Sequence, residues 1–225
     1  GTTRRAADGG SRAGVAGRLG IGQAGGIYRP IATDQARERV AFMLADAEAV
    51  LTISEAKYLP QLRDWQIEAI DHRDCADYPD TFQEPRGLEL SDTAYLIYTS
   101  GTTGRPKGVP IRHESILNQI LFHNEYLEMA VGERFLHLAS LAFDASLVEI
   151  LMPLFSGGTL VVAGQALKEN TDRLLTFLKE QRVNAAIFPP AYLRLLDRVE
   201  QTELRKVIST GEAILTEDAL RFADR

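Results

Sequence analysis

The chain has 225 residues, 45% of them hydrophobic and 25% charged, with a formal net charge of −6. That is enough apolar material for one sizeable core, or one domain and part of another, and the mildly acidic balance argues against nucleic acid or an anionic membrane as partner. The lone Cys75 permits no internal disulfide, which fits a cytoplasmic setting. Four scattered histidines form no zinc-type cluster with it, and no apolar run is long enough to span a membrane.

Residues 1–17 are rich in Gly, Ala and Arg and poor in large apolar side chains, so disorder is expected there. They also lack the apolar segment of a secretory signal. Gly20-Ile21-Gly22-Gln23-Ala24-Gly25 fits the G-x-G-x-x-G spacing of a dinucleotide fingerprint. That fingerprint needs a strand before it and a helix after it. The upstream segment reads as no strand, and Pro30 falls where the helix should run, so this reading is rejected. Over 35–48, Val40, Met43, Leu44 and Ala47 share one face, which predicts an amphipathic helix. Residues 49–53 predict a buried strand, and 71–91 a polar, proline-bearing surface connection.

Ala94-Tyr95-Leu96-Ile97 reads as a buried strand. It runs into Tyr98-Thr99-Ser100-Gly101-Thr102-Thr103-Gly104-Arg105-Pro106-Lys107-Gly108. Glycines let backbone N–H groups crowd an anion, and Ser and Thr hydroxyls add donors. Lys107 supplies a mobile point charge. The Walker A spacing fails, because Gly108 follows Lys107 where Ser or Thr is required. Gly, Ser, Thr and Pro also dominate ordinary turns, but an ordinary turn has no need of so many donors. The stretch reads as a loop built to hold phosphate.

Downstream, the pattern predicts a helix over 114–128 with Ile116, Leu117, Ile120 and Leu121 inward, then a strand over 134–139. A helix over 145–155 and a strand over 159–163 follow. A helix over 171–181 turns Leu174, Leu175 and Leu178 inward. Strands over 183–188 and 206–209 alternate with helices over 191–199 and 217–223. This alternation argues an α/β sheet with helices on both faces. Ligands in such sheets sit at the carboxyl ends of strands, where Thr99, Phe188 and Ser209-Thr210 all fall. Asp144, alone, reads as the cap of the helix that begins near Ala145. His113 reads as a structural residue at a turn, and His72, His123 and His137 show no partner pattern.

Thr99 to Gly108 resembles the phosphate-loop signature of the adenylate-forming enzymes, which include acyl-CoA synthetases, luciferases and the adenylation domains of nonribosomal peptide synthetases. Phe143-Asp144-Ala145-Ser146-Leu147-Val148-Glu149-Ile150 resembles the peptide-synthetase branch. Phe188-Pro189-Pro190-Ala191-Tyr192 and Ile208-Ser209-Thr210-Gly211-Glu212-Ala213 resemble later elements of the same domain, in the same order. The resemblance runs from Leu19 to Arg225. It implies a partial AMP-binding adenylation domain over 18–225, with 1–17 outside the family. The implied fold class is α/β, with layered sheets and flanking helices, part of the large N-terminal subdomain. Gly22 and Arg29 depart from the family pattern.

The resemblance implies ATP with Mg2+ as the nucleotide. Thr99, Ser100, Gly101, Thr102, Thr103, Gly104 and Lys107 would hold the phosphates, with Thr103 and Lys107 catalytic. Gly211, Glu212 and Ala213 would pass the adenine. Asp144 would hold the substrate ammonium, which is costly to bury without an anion. Ala145, Val148, Phe188, Ile208 and Thr210 would line the side-chain pocket, with Glu149 structural or supporting it indirectly. No metal ligand is assigned. The implied product is an aminoacyl-adenylate, loaded as a thioester onto the phosphopantetheine of a peptidyl carrier protein domain. Family elements that bind magnesium and ribose, and the lysine of the C-terminal subdomain, find no match, so the chain alone is expected to be inactive. The alternatives are an acyl- or aryl-CoA ligase, against which Asp144 speaks, and a non-catalytic truncated module.

Overall fold

The computed structural model describes residues 3–7, 12–77, 85, 87–100, 105–195 and 201–223. The chain divides into two compact units. The first comprises Gly1–Gln119 and Ser140–Asp144. It contains β1 (Thr3–Ala7), α1 (Arg12–Gln23), β2 (Ile27–Ile31), α2 (Arg37–Asp46), β3 (Leu51–Ser54), α3 (Leu59–Asp64), β4 (Ile70–Asp71), β5 (Thr93–Ser100) and β6 (Pro106–Arg112). These strands form a six-stranded sheet in the order β4-β3-β1-β2-β5-β6. Every pairing is parallel except β5 with β6. The helix α4 (His113–Tyr126) follows directly on β6.

The second unit comprises Ile120–Ala139 and Ala145–Arg225. It contains β7 (Arg134–His137), α5 (Ala145–Phe155), β8 (Thr159–Val162), α6 (Thr171–Glu180), β9 (Ala185–Phe188), α7 (Pro190–Leu195), β10 (Lys206–Ser209) and α8 (Thr216–Ala223). Its four strands run parallel in the order β10-β9-β7-β8. The inner strand β9 is buried at all four positions, as a strand covered on both faces must be. Leu136, Val161, Leu174, Leu178, Val183, Ala186 and Phe188 build one apolar core. In the first unit Ile31, Val40 and Met43 form a smaller one, with Trp65, Ile67 and Tyr98 packed against it.

Within 1–17, where disorder is expected from the sequence, the described residues 3–7 and 12–17 lie in a strand and a helix. Thr3–Ala7 is an inner strand, paired with both β2 and β3, and Arg12–Gln23 is a helix packed on β1 and β2. An inner strand of a parallel sheet has its backbone groups satisfied from both sides, so Thr3–Ala7 needs little apolar content of its own. The rejected dinucleotide motif is also placed. A strand does precede it, contrary to expectation, but Gly20 and Gly22 lie inside α1 and Gly25 just past its end. A fingerprint must open a helix, and this one closes one.

Six helices share one stop. After α1, α2, α3, α4, α5 and α6 the second residue past the helix has positive φ: Gly25, Glu48, Gln66, Glu128, Gly157 and Arg182. The next N–H donates to the carbonyl five residues back, as in Ile67 to Leu62 (2.9 Å), Met129 to Asn124 (2.9 Å) and Val183 to Leu178 (2.9 Å). This is the Schellman arrangement, which favours glycine at the left-handed position. Four of the six use Glu, Gln or Arg instead, each against a left-handed penalty of roughly 1 kcal/mol. Gln66→Gly and Glu128→Gly are therefore each expected to raise unfolding stability, by about 0.5–1 kcal/mol. Urea denaturation of the two variants checks this.

Candidate active site

The stretch read as a phosphate loop is the end of a β-hairpin. Strand β5 carries Thr99 and Ser100 at its carboxyl end, and β6 returns antiparallel from Pro106. The ladder pairs Thr99 with Lys107 and Ser100 with Pro106. Cross-strand partners project from the same face, so the Thr99 and Lys107 side chains stand side by side, both exposed. Lys107 is in no ion pair among the described residues. Gly101, Thr102, Thr103 and Gly104 lie outside the described residues. A hydroxyl and an uncommitted ammonium at the mouth of a hairpin fit a polyphosphate.

Gly108 stands where a side chain would be tightly placed. A Cβ there would lie 3.2 Å from Leu96 Cδ1 and 3.2 Å from the Tyr98 ring. The Tyr98 hydroxyl donates to Asp46 Oδ2 at 2.5 Å, tying β5 to the end of α2.

The Phe143-Asp144 pair also belongs to the first unit. Both residues are exposed, and a turn precedes them, with the Phe143 N–H on the Ser140 carbonyl at 2.9 Å. Asp144 is close enough to Tyr95 to act on its titration. Burial pushes the Tyr95 phenol up, the Asp144 charge adds to the rise, and the Arg18 cation opposes both. Arg18 lies over the rings of Tyr28 (4.6 Å) and Tyr95 (5.7 Å).

The remaining predicted residues belong to the second unit. Ala145 opens α5 and is half-buried, while Val148, one turn on, is buried. Phe188 ends β9, fully buried within the core cluster and stacked on Tyr192 at 6.2 Å between ring centroids. Its role here is packing first, beneath whatever surface the neighbouring strand end offers. Ile208 is half-buried on β10, where Ser209 pairs with Phe188. Thr210, Gly211, Glu212 and Ala213 follow, all exposed, with Gly211 at φ +101°. Glu212 accepts a hydrogen bond from the Ala191 N–H of α7 at 3.3 Å. Arg194 of α7 donates to Asp218 of α8 at 2.9 Å. The strand ends after β9 and β10 are thereby joined through their own helices.

Glu149 is a stronger structural element than its sequence position indicates. Its carboxylate is 1% exposed and accepts from the Leu138 N–H (3.0 Å) and the Ala139 N–H (2.9 Å). It also meets His137 Nδ1 at 2.7 Å. His137, given no partner from sequence, is fully buried. Glu149 and His137 are twelve positions apart across a strand end, a turn and a helix start, so no single period joins them in the sequence. Lys168 was missed as well. It is half-buried, with burial pushing its ammonium down and Glu149 opposing that shift.

Burial, then the hydrogen bond to Asp46, pushes the Tyr98 phenol up to about 12, while the Arg29 cation pulls the other way. The folded phenol thus keeps its proton above the unfolded value near 10. Its contribution to stability is complete below that value and is lost as pH rises through about 12. Absorbance titration of phenolate is expected to show a late step near pH 12 that Tyr98→Phe removes.

The AMP-binding enzyme family model matches residues 11–225. Tyrocidine synthase 2 of Brevibacillus parabrevis is 34% identical over 192 residues, covering 85% of this chain and 5% of that protein. The nonribosomal peptide synthetase FmoA3, in its α-methyl-L-serine-AMP bound form, superposes with a TM-score of 0.89 at 25% identity, covering 100% of this chain and 26% of that one. Holo-AB3403, a four-domain nonribosomal peptide synthetase bound to AMP and glycine, gives a TM-score of 0.84 at 26% identity, over 100% of this chain and 17% of that one. The chain thus spans a small part of each relative. With its family match, its α/β sheets and its Thr99–Lys107 hairpin, the chain belongs to the AMP-binding, adenylate-forming enzymes, with its relatives among peptide-synthetase adenylation domains.

Proposed function

We propose that this chain carries the phosphate-binding hairpin and part of the substrate pocket of an amino-acid adenylation domain. The observation that carries the reading is the exposed Lys107 beside Thr99 at the mouth of the hairpin. In the proposed reaction an amino-acid carboxylate oxygen bonds to the α-phosphorus of ATP, and the bond to pyrophosphate breaks. Thr99, Ser100 and Lys107 hold the β- and γ-phosphates, with the loop segment Gly101, Thr102, Thr103 and Gly104 completing the cradle. Catalysis of this kind is mostly positioning and charge stabilisation. Magnesium, which binds through few protein ligands, would be held mainly by the phosphates themselves and would offset their charge. Among the described residues no cluster of three His, Cys, Asp or Glu is placed to hold a metal.

Asp144 anchors the substrate ammonium, and its exposure leaves the carboxylate accessible to one. Ala145, Val148, Ile208 and Thr210 form the side-chain pocket over Phe188, and the backbone of Gly211, Glu212 and Ala213 lies against the adenine. The phosphopantetheine thiol of a peptidyl carrier protein domain then attacks the aminoacyl carbonyl, losing its proton and forming a thioester as the acyl–phosphate bond breaks and AMP leaves. A cytoplasmic setting belongs to the same proposal. Among the described residues no helix is long and apolar enough to cross a membrane.

Amino-acid-dependent ATP–pyrophosphate exchange tests the reading, run on the protein as its reading frame encodes it. Asp144→Ala is expected to lower exchange at least a hundredfold while MgATP binding, read by calorimetry, stays within a factor of two, on the order of the cost of an unpaired buried charge. Lys107→Ala is expected to slow exchange more than it weakens amino-acid binding. Equal turnover of deaminated analogues would instead favour an acyl- or aryl-CoA ligase.

A further inference from the structure

Arg29 is the third residue of β2 and is fully buried. Among the described residues its three guanidinium nitrogens make no hydrogen bond of good geometry, the Tyr98 hydroxyl being close enough only to oppose the downward shift of the cation. A cation in that state is costly, and an apolar side chain of similar volume is commonly neutral or stabilising in its place. Burial pushes the guanidinium down to about 10, against the pull of Tyr98 and Asp46. A cation shifted down on folding is, at neutral pH, a net cost to the fold. Stability alone therefore gives no reason for arginine here.

What the cation touches gives one. The guanidinium lies 4.6 Å from the centroid of the Tyr98 ring. Tyr98 in turn donates to Asp46, the last residue of α2. The same ring, with Leu96, crowds the position a Cβ would take at Gly108 on β6. Tyr98 immediately precedes Thr99, and Gly108 immediately follows Lys107. One ring thus touches both strands of the hairpin at the ladder pair next to Thr99 and Lys107. A cation–π contact acts only when cation and ring are in place.

We propose that Arg29, acting through Tyr98 and Asp46, is a positioning residue that fixes the hairpin carrying Thr99 and Lys107 in its phosphate-holding register. It touches no substrate. Its effect is to narrow the ring to one placement, so that the two strands reach the hairpin mouth in one alignment. The proposal rests on the phosphate reading of the hairpin for its functional consequence, but not for its structural one.

The test uses the full chain, with Arg29→Met, Arg29→Lys and Tyr98→Phe. Three measurements are made: the melting temperature, amide hydrogen exchange over 96–100 and 107–109, and affinity for inorganic tripolyphosphate. Arg29→Met is expected to melt at or above the parent temperature. Its hairpin amides exchange about tenfold faster, and tripolyphosphate affinity falls about tenfold, the scale of a lost cation–π contact. Arg29→Lys, which keeps the charge, is expected to recover most of both. Tyr98→Phe keeps the ring but loses the Asp46 bond, and is expected to loosen the same amides less. Unchanged hairpin exchange in Arg29→Met overturns the proposal, and so does a collapsed fold, because Arg29 is then a stabiliser. Should exchange respond while the parent chain binds no tripolyphosphate, the positioning role stands and the phosphate reading of the hairpin fails.

Discussion

The register that sets Thr99 opposite Lys107 is the constraint on which the candidate site depends. Side chains alternate along a strand, so a slip of one residue would turn Lys107 to the opposite face from Thr99. Glycine-rich hairpins are prone to such slips, and this one is glycine-rich at its mouth. Packing supplies what the turn chemistry does not. The Tyr98 ring sits against the backbone of Gly108, where any side chain would have to displace it. At the far end of the hairpin, the His113 N–H donates to the Asp92 carbonyl (3.0 Å) and the Glu114 N–H to the Leu90 carbonyl (2.9 Å). The ladder is thereby pinned at both ends, and its one irregularity, between Thr93 and Tyr95, falls away from the mouth.

The second unit solves a similar problem with a charge. A buried carboxylate is tolerated when its lone pairs are filled, and Glu149 fills them with two backbone N–H groups and His137. The consequence is positional. The backbone at Leu138 and Ala139 is held to α5, and α5 carries Ala145 and Val148 of the proposed pocket. Pro153 interrupts the same helix. It lacks the N–H that would bond the Glu149 carbonyl, so the side chain of Glu149 ties down a helix whose backbone ladder has a gap at that residue.

Much of this architecture was legible in the sequence, and the failures are instructive. The downstream alternation was readable because α6 has a clean apolar stripe in Leu174 and Leu178, and β9 is a short run of buried residues. Strand β6 was not, because Pro106-Lys107-Gly108-Val109-Pro110 carries two prolines and a glycine, a composition that argues against a strand. An edge position in the sheet tolerates it, since one side of β6 needs no ladder bonds. Strand β1 was hidden by its polar, small-residue content. Helix stops were hidden for a different reason. Glu48, Gln66, Glu128 and Arg182 occupy left-handed positions at which a reader looks for glycine. The candidate site residues were read from motifs, but the groups packed behind them, His137, Arg29 and Asp46, were not, because each meets its partner across long sequence separation.

Strand β5 is gripped by arginines on both of its faces. Tyr95 and Tyr98 are three residues apart and so project to opposite faces. Arg18 lies over Tyr95 on one, and Arg29 over Tyr98 on the other. Two apolar residues would bury the same sheet at lower electrostatic cost, since burial pushes both guanidinium groups down. Apolar packing, however, is non-directional, whereas a cation over a ring face attracts only in one arrangement. The strand that ends in Thr99 and Ser100 is therefore held by contacts that specify where it lies rather than by those that would stabilise it most. In the proposed function, where this hairpin presents donors to a polyphosphate, the first matters more than the second, because a small misplacement at the mouth forfeits contacts that no amount of core stability restores.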